Sequence, residues 1–98
     1  MAAYIIADVT IGDTAAYELY KSLTPSSVAA YQGKFVIRGW PTEILEGDWH
    51  PGRLVVLEFP DAALARQWWH SEAYGAAKKI RQEAAQTNML LVTGPEVL

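Results

Sequence analysis

EGDWHPGRLVVLEFPD, residues Glu46–Asp61, decides the fold. Asp48, Pro51 and Gly52 are turn formers. After them Arg53–Phe59 runs as an apolar, β-branched strand, and Pro60-Asp61 opens a helix with Asp61 as its cap. A turn, a strand and a capped helix in direct succession read as the centre of a βα unit. Within that strand sits one carboxylate, Glu58.

Upstream, Tyr4–Ile11 is rich in β-branched and aromatic residues and reads as a strand ending at Gly12-Asp13. Asp13 caps a helix from Thr14, with Ala16, Leu19, Tyr20 and Leu23 at helical spacing. Thr24-Pro25 predicts a kink or a restart, followed by a short helix through Val28, Ala29 and Tyr31, with Gly33 at the left-handed closing position. Lys34–Trp40 is a second strand, stopped at Gly39-Trp40-Pro41, and Thr42–Glu46 is apolar enough to prolong it. Downstream, Leu64, Ala65 and Trp68 form a buried stripe. Ser71 caps a further helical segment with Ala73, Ala77, Ile80 and Ala84 inward and Lys78, Lys79 and Arg81 towards its C-terminal half. Met89–Thr93 is a last strand, ended by Gly94-Pro95. The order β-α-β-β-α-β predicts an α+β, ferredoxin-like protomer, with a four-stranded antiparallel sheet and helices on one face. Residues 1–98 are expected to form a single domain.

Composition narrows the function classes. The chain has 98 residues, 51% of them hydrophobic, with four tryptophans and five tyrosines. Such a core is small, and small cores are often completed by self-association. The net charge is −3 and the eight basic residues are scattered, which argues against nucleic-acid binding. With no cysteine, disulfides, thiolate metal sites and a cysteine nucleophile are excluded. The first apolar run is broken by Asp8 and too short to span a bilayer, so a soluble, cytoplasmic protein with no membrane partner is expected.

Side chains alternate across a strand, so each strand yields two sets. One set is apolar: Ile5, Ala7, Val9, Phe35, Ile37, Val55, Leu57, Phe59, Leu90 and Val92. The other is mixed: Tyr4, Ile6, Asp8, Thr10, Val36, Arg38, Leu54, Val56, Glu58, Met89, Leu91 and Thr93. Helices belong on the apolar set. The mixed set would leave a large exposed apolar patch, which predicts a homodimer with two sheets packed face to face. Asp8, Arg38 and Glu58 would then form a polar ladder in the dimer interior, with one carboxylate in excess.

Ala3–Val9 (AYIIADV), Tyr17 and Tyr20, Tyr31-Gln32-Gly33, Val36-Ile37-Arg38-Gly39, Leu45–Trp49 (LEGDW), Pro51-Gly52-Arg53, Leu57–Asp61 (LEFPD) and Ser71–Tyr74 (SEAY) occur together. In this set the chain resembles the domain-of-unknown-function 1330 family, within the dimeric α/β-barrel superfamily, over nearly its whole length. The resemblance implies a ferredoxin-like protomer and a homodimer. It implies no catalytic residues, because the family's activity is not established. The wider superfamily includes cofactor-independent monooxygenases of quinol-like aromatics, isomerases and haem binders. Trp40-Pro41 departs from the small residue expected after Arg38-Gly39, and would reshape a neighbouring pocket.

The ladder Asp8, Arg38 and Glu58 is the candidate catalytic set, either carboxylate as base and Arg38 as oxyanion stabiliser. Its competing role is an ion-pair network that sets dimer register. Tyr4, Tyr17, Tyr20, Trp40, Trp68, His70 and Tyr74 are the candidate pocket for a flat ligand, against ordinary core packing. His50 and His70 lie far apart with no carboxylate at ligand spacing, so neither a metal nor a cofactor is expected. Three functions remain open: a binder of a small aromatic or polar organic molecule, a cofactor-independent monooxygenase or isomerase, and a non-catalytic stress-related or structural module.

Overall fold

The computed structural model describes residues 1–94. Its elements are β1 (Ala3–Ile11), α1 (Thr14–Ala30), β2 (Lys34–Arg38), β3 (Arg53–Phe59), α2 (Ala62–His70), α3 (Glu72–Ala84) and β4 (Ala85–Thr93). The strands pair antiparallel in the order β2-β3-β1-β4, and the helices cover one face. This is the ferredoxin-like βαββαβ arrangement, with its second helix split in two at Ser71. The caps form as expected. Asp13 accepts the Ala16 amide at 3.0 Å, Asp61 that of Leu64 at 2.8 Å, and Ser71 that of Tyr74 at 3.1 Å.

Helix α1 does not break at Pro25 but runs through it. Proline lacks the N–H that would bond the carbonyl of Lys21. The neighbouring hydroxyls bond backward instead, Thr24 to the Tyr20 carbonyl and Ser27 to the Thr24 carbonyl, each at 2.7 Å. With their donors occupied, Thr24 and Ser27 are buried. The inward stripe is therefore Tyr17, Tyr20, Thr24, Ser27 and Val28, while Leu19 and Leu23, expected inside, are 52% and 41% exposed. At the helix end Gln32, not Gly33, takes the left-handed position, at φ 63°. Gly33 donates to the Val28 carbonyl at 2.9 Å and is needed for another reason: a Cβ there would sit 2.6 Å from the Phe59 ring.

Two strand phases differ from expectation. In β4, Met89 faces Ala7 and Leu91 faces Ile5 in register, so these two point to the helices. Leu90 and Val92 lie on the open face, 63% and 41% exposed, the reverse of the expected assignment. Residues 89–92 are all apolar and select no phase, but the strand begins earlier than expected, at Ala85, and its polar Gln86 and Asn88 share the exposed phase of Leu90 and Val92. In β2 a bulge at Val36 separates Phe35, opposite Leu57, from Ile37, opposite Val56. The extra residue turns Ile37 to the open face and Arg38 to the helix face. Residues 39–52 form a long arm without regular structure, including Thr42–Glu46, where a strand was expected. Pro41 and Pro51 lack the amide that a strand ladder uses, and Gly39 and Gly47 take positive φ, which interrupts an extended run. Pro95, expected to help end β4, lies outside the described residues.

The core is aromatic. Trp68 stacks on Tyr74 at 4.0 Å between centroids, and Phe59 meets Trp68 at 5.6 Å. Trp68 also donates from its indole nitrogen to Ser27 at 3.1 Å, tying α2 to α1.

Candidate functional site

Helix α1 stands off the sheet along one side, and a cleft opens between them. Its floor is the apolar face of the sheet, Ile5, Ala7, Val9, Val55, Leu57 and Met89. Tyr17, Tyr20 and Trp68 supply the aromatic wall. Three guanidinium groups complete it, from Arg38, Arg53 and Arg81. The cleft holds about 30 Å³ for the centres of water-sized groups, and about 470 Å³ of atom-free space when its open mouth is included. The inner part therefore has room for one or two waters.

Each arginine is placed by a separate device. Arg38 arrives through the β2 bulge. Its Nη2 donates at 3.4 Å to the Lys21 carbonyl, the one Pro25 leaves without a helical donor, and its guanidinium lies 4.5 Å above the Phe35 ring. Arg53 begins β3 in phase with Val55, Leu57 and Phe59. Its guanidinium lies over Gly39, whose φ of 69° and missing side chain make the space, and 5.9 Å from the centre of the Tyr17 ring. Its Nε is buried without a hydrogen-bond partner among the described residues. Arg81 is 5% exposed and donates from Nε to the Tyr74 hydroxyl at 3.2 Å. Tyr74 in turn shares a 2.7 Å hydrogen bond with Tyr20. Among the described residues no carboxylate pairs with any of the three; the ion pairs are Lys21–Glu18 and Lys34–Glu58.

Burial governs the tyrosines. Tyr20 is pushed well above the usual 10.0, first by desolvation and then by the Tyr74 hydroxyl beside it, with Arg81 and Thr24 acting against the rise. Tyr17 is also raised, by desolvation first and then by Tyr20, while Arg53 and Arg81 pull it back. Both phenols are thus neutral donors at ordinary pH.

The expected ladder does not assemble. Arg38 is on the helix side, and Asp8 and Glu58 are on the open side. Asp8 accepts the Trp49 indole N–H and the Gly52 amide, each at 2.8 Å, and so pins the arm to β1. Glu58 faces Lys34 across the strand pair at 3.6 Å. Of the expected pocket residues, Tyr17, Tyr20 and Trp68 line the cleft, and Tyr74 lies behind them under Tyr20 and Trp68. Tyr4 is on the open face opposite Glu58, Trp40 is 60% exposed at the root of the arm, and His70 is exposed at the end of α2 against the Trp69 ring. Arg53 and Arg81 were not foreseen. Both carried a signal: Arg53 shares the phase of the apolar half of β3, and Arg81 continues the helical spacing Tyr74, Ala77, Arg81, Ala84, all buried.

A family model described as a domain of unknown function, DUF1330, matches residues 2–95. The chain belongs to the DUF1330 family. Among curated proteins none matches it. Solved structures do. A protein of unknown function from Rhodopseudomonas palustris superposes with a TM-score of 0.77 at 20% identity, covering 98% of this chain and 84% of that one. SnoaB, a cofactor-independent oxygenase from Streptomyces nogalater, superposes at 0.66 and 16% identity, covering 99% and 96%. An antibiotic biosynthesis monooxygenase superposes at 0.54 and 15% identity, over the full length of both chains. At these identities the likeness establishes the shared fold. In this DUF1330 member the stretches Arg38-Gly39 and Pro51-Gly52-Arg53 meet at the cleft, where Gly39 seats Arg53.

Proposed function

We propose that the protein binds a small, flat organic molecule in the cleft between α1 and the sheet. The observation that carries this is the lining: an apolar floor, aromatic walls and a few convergent polar groups, the composition of ligand sites generally. A thermal-shift screen of small aromatic and polar compounds tests it, because a ligand that binds only the folded chain raises its melting temperature. Stabilisation that persists in Leu90→Ser, on the open face, and disappears in Tyr17→Trp, which fills the cleft, supports the reading. The opposite pattern sends the ligand elsewhere.

A second reading, cofactor-independent oxygenation or isomerisation of a quinol-like aromatic, draws on the fold shared with SnoaB. Among the described residues lining the cleft there is no carboxylate and no histidine. Asp8 and Glu58, the bases this reading would have used, are on the other face. Turnover would depend on a substrate that enters already ionised, with the arginines stabilising its negative charge. Oxygen uptake with simple hydroquinols, lost in Arg53→Gln and kept in Glu58→Gln, would support this over binding alone.

The open sheet face favours a homodimer. Ile6, Leu54, Val56, Leu90 and Val92 share it, next to the exposed Trp49 and Ile44 of the arm. An apolar face of this kind is usually covered by a second copy.

A further inference from the structure

We infer that the occupant of the cleft is an organic anion, a single-ring carboxylate whose charged end takes the inner space of one or two waters beside Arg53 and Arg81 and whose ring fills the open mouth. This rests on the proposed binding role of the cleft and adds the ligand's charge. Three guanidinium groups line a space walled by apolar and aromatic side chains, and among the described residues none has a carboxylate partner. A buried cation without a counter-charge is costly, so its retention points to an anion supplied from outside. Two donors are visibly waiting. Arg81 is 5% exposed and spends only its Nε, on Tyr74, among the described residues. The Arg53 Nε is buried with no hydrogen-bond partner among the described residues.

The surroundings select the kind of anion. A guanidinium presents a planar pair of N–H groups that matches a carboxylate, and the neutral phenols of Tyr17 and Tyr20 line the same cleft. The floor offers hydrocarbon and no donors for a third oxygen, which disfavours a strongly hydrated phosphate. The aromatic wall suits a ring.

The test is a calorimetric titration of the intact protein with benzoate, its neutral amide benzamide and inorganic phosphate. Benzoate is expected to bind roughly ten- to a hundredfold more tightly than benzamide, the range of a charge-assisted pair, and more tightly than phosphate. Arg53→Gln and Arg81→Gln should each remove that preference while leaving the weaker benzamide binding in place. Arg53→Lys, which keeps the charge, should restore part of it, and the far-ultraviolet dichroism of every variant reports whether it has folded. Equal affinity for benzoate and benzamide overturns the anion and leaves the cleft as a site. Tighter phosphate binding overturns the carboxylate. Binding of none of the three at millimolar concentration overturns both the inference and the proposed site. If Arg53→Gln lowers the mass in solution while benzoate binding is unchanged, the guanidinium belongs to a partner's carboxylate and the inference falls.

Discussion

Arg53, Asp8 and Tyr20 have different roles although all three are polar groups on or over the same sheet. Arg53 is oriented by what is absent, a side chain at Gly39. Asp8 is oriented by two donors from one loop, and its role is to hold residues 39–52 against the sheet. Asp8→Ala should therefore lower stability by about 1.5–3 kcal/mol, the range for a hydrogen bond to a charged group, in urea denaturation. It should also shift Trp49 emission to the red, while ligand binding in the cleft is unaffected. Tyr20 titrates late because it is buried. Below pH about 10 both folded and unfolded chains keep the phenol proton, so Tyr17 and Tyr20 give no pH dependence there. Above it the unfolded chain loses those protons first and binds fewer, so stability falls as pH rises. Urea midpoints should decline as pH rises above about 10, and Tyr20→Phe should make the decline shallower. At this scale much was readable in the sequence: the caps, the tyrosines and Trp68. The ladder was misread because one residue, Val36, changes the phase of everything after it in β2.

Elements differ in how strongly their own pattern specifies them. In β1 and β3 the carboxylates Asp8 and Glu58 mark one phase, the other is apolar apart from Arg53, and both strands turn that second phase to the helices. In β4 the run Met89–Val92 carries no alternation, and its facing follows from the strand's start at Ala85, which puts Gln86 and Asn88 on the open face opposite Thr10 and Asp8. Helix α1 has two apolar stripes to choose from, and the one containing Tyr17, Tyr20 and Val28 wins because Thr24 and Ser27 can bury bonded hydroxyls beside it. Its continuity through Pro25 has a consequence in the cleft, since the carbonyl freed at Lys21 holds Arg38. Pro25→Ala should stabilise the protein by about 1–2 kcal/mol, the cost of an interior proline less the loss of its stiffening of the unfolded chain. Chemical denaturation reads the gain, and a new amide at position 25 competes with Arg38 for Lys21.

The whole molecule is two layers thick, with extents of 40 × 38 × 17 Å. One layer is helical and the other is the sheet, so among the described residues the sheet's second face is covered by no helix and only the arm lies against it. That geometry leads to the dimer prediction. Light scattering at micromolar concentration should give twice the 10.8 kDa chain mass, and Leu90→Asp, which places a charge on the open face, should shift it towards the monomer. A monomer mass for the unaltered protein would remove the homodimer. The cleft is independent of that outcome, because the three helices and four strands of a single chain build it.

By itself the sequence determined the element order, the capped helix starts and the side of β1 and β3 that the helices cover. These follow from local propensity and from periodicity within one element, which act over a few residues. Only the tertiary structure decided where β4 starts and so how it faces, the bulge that carries Arg38 across the sheet, and the gathering of Arg38, Arg53 and Arg81 in one cleft. Those depend on which strand pairs with which and on what fits between helix and sheet. That information is held in contacts between residues far apart in the chain, which no local pattern encodes.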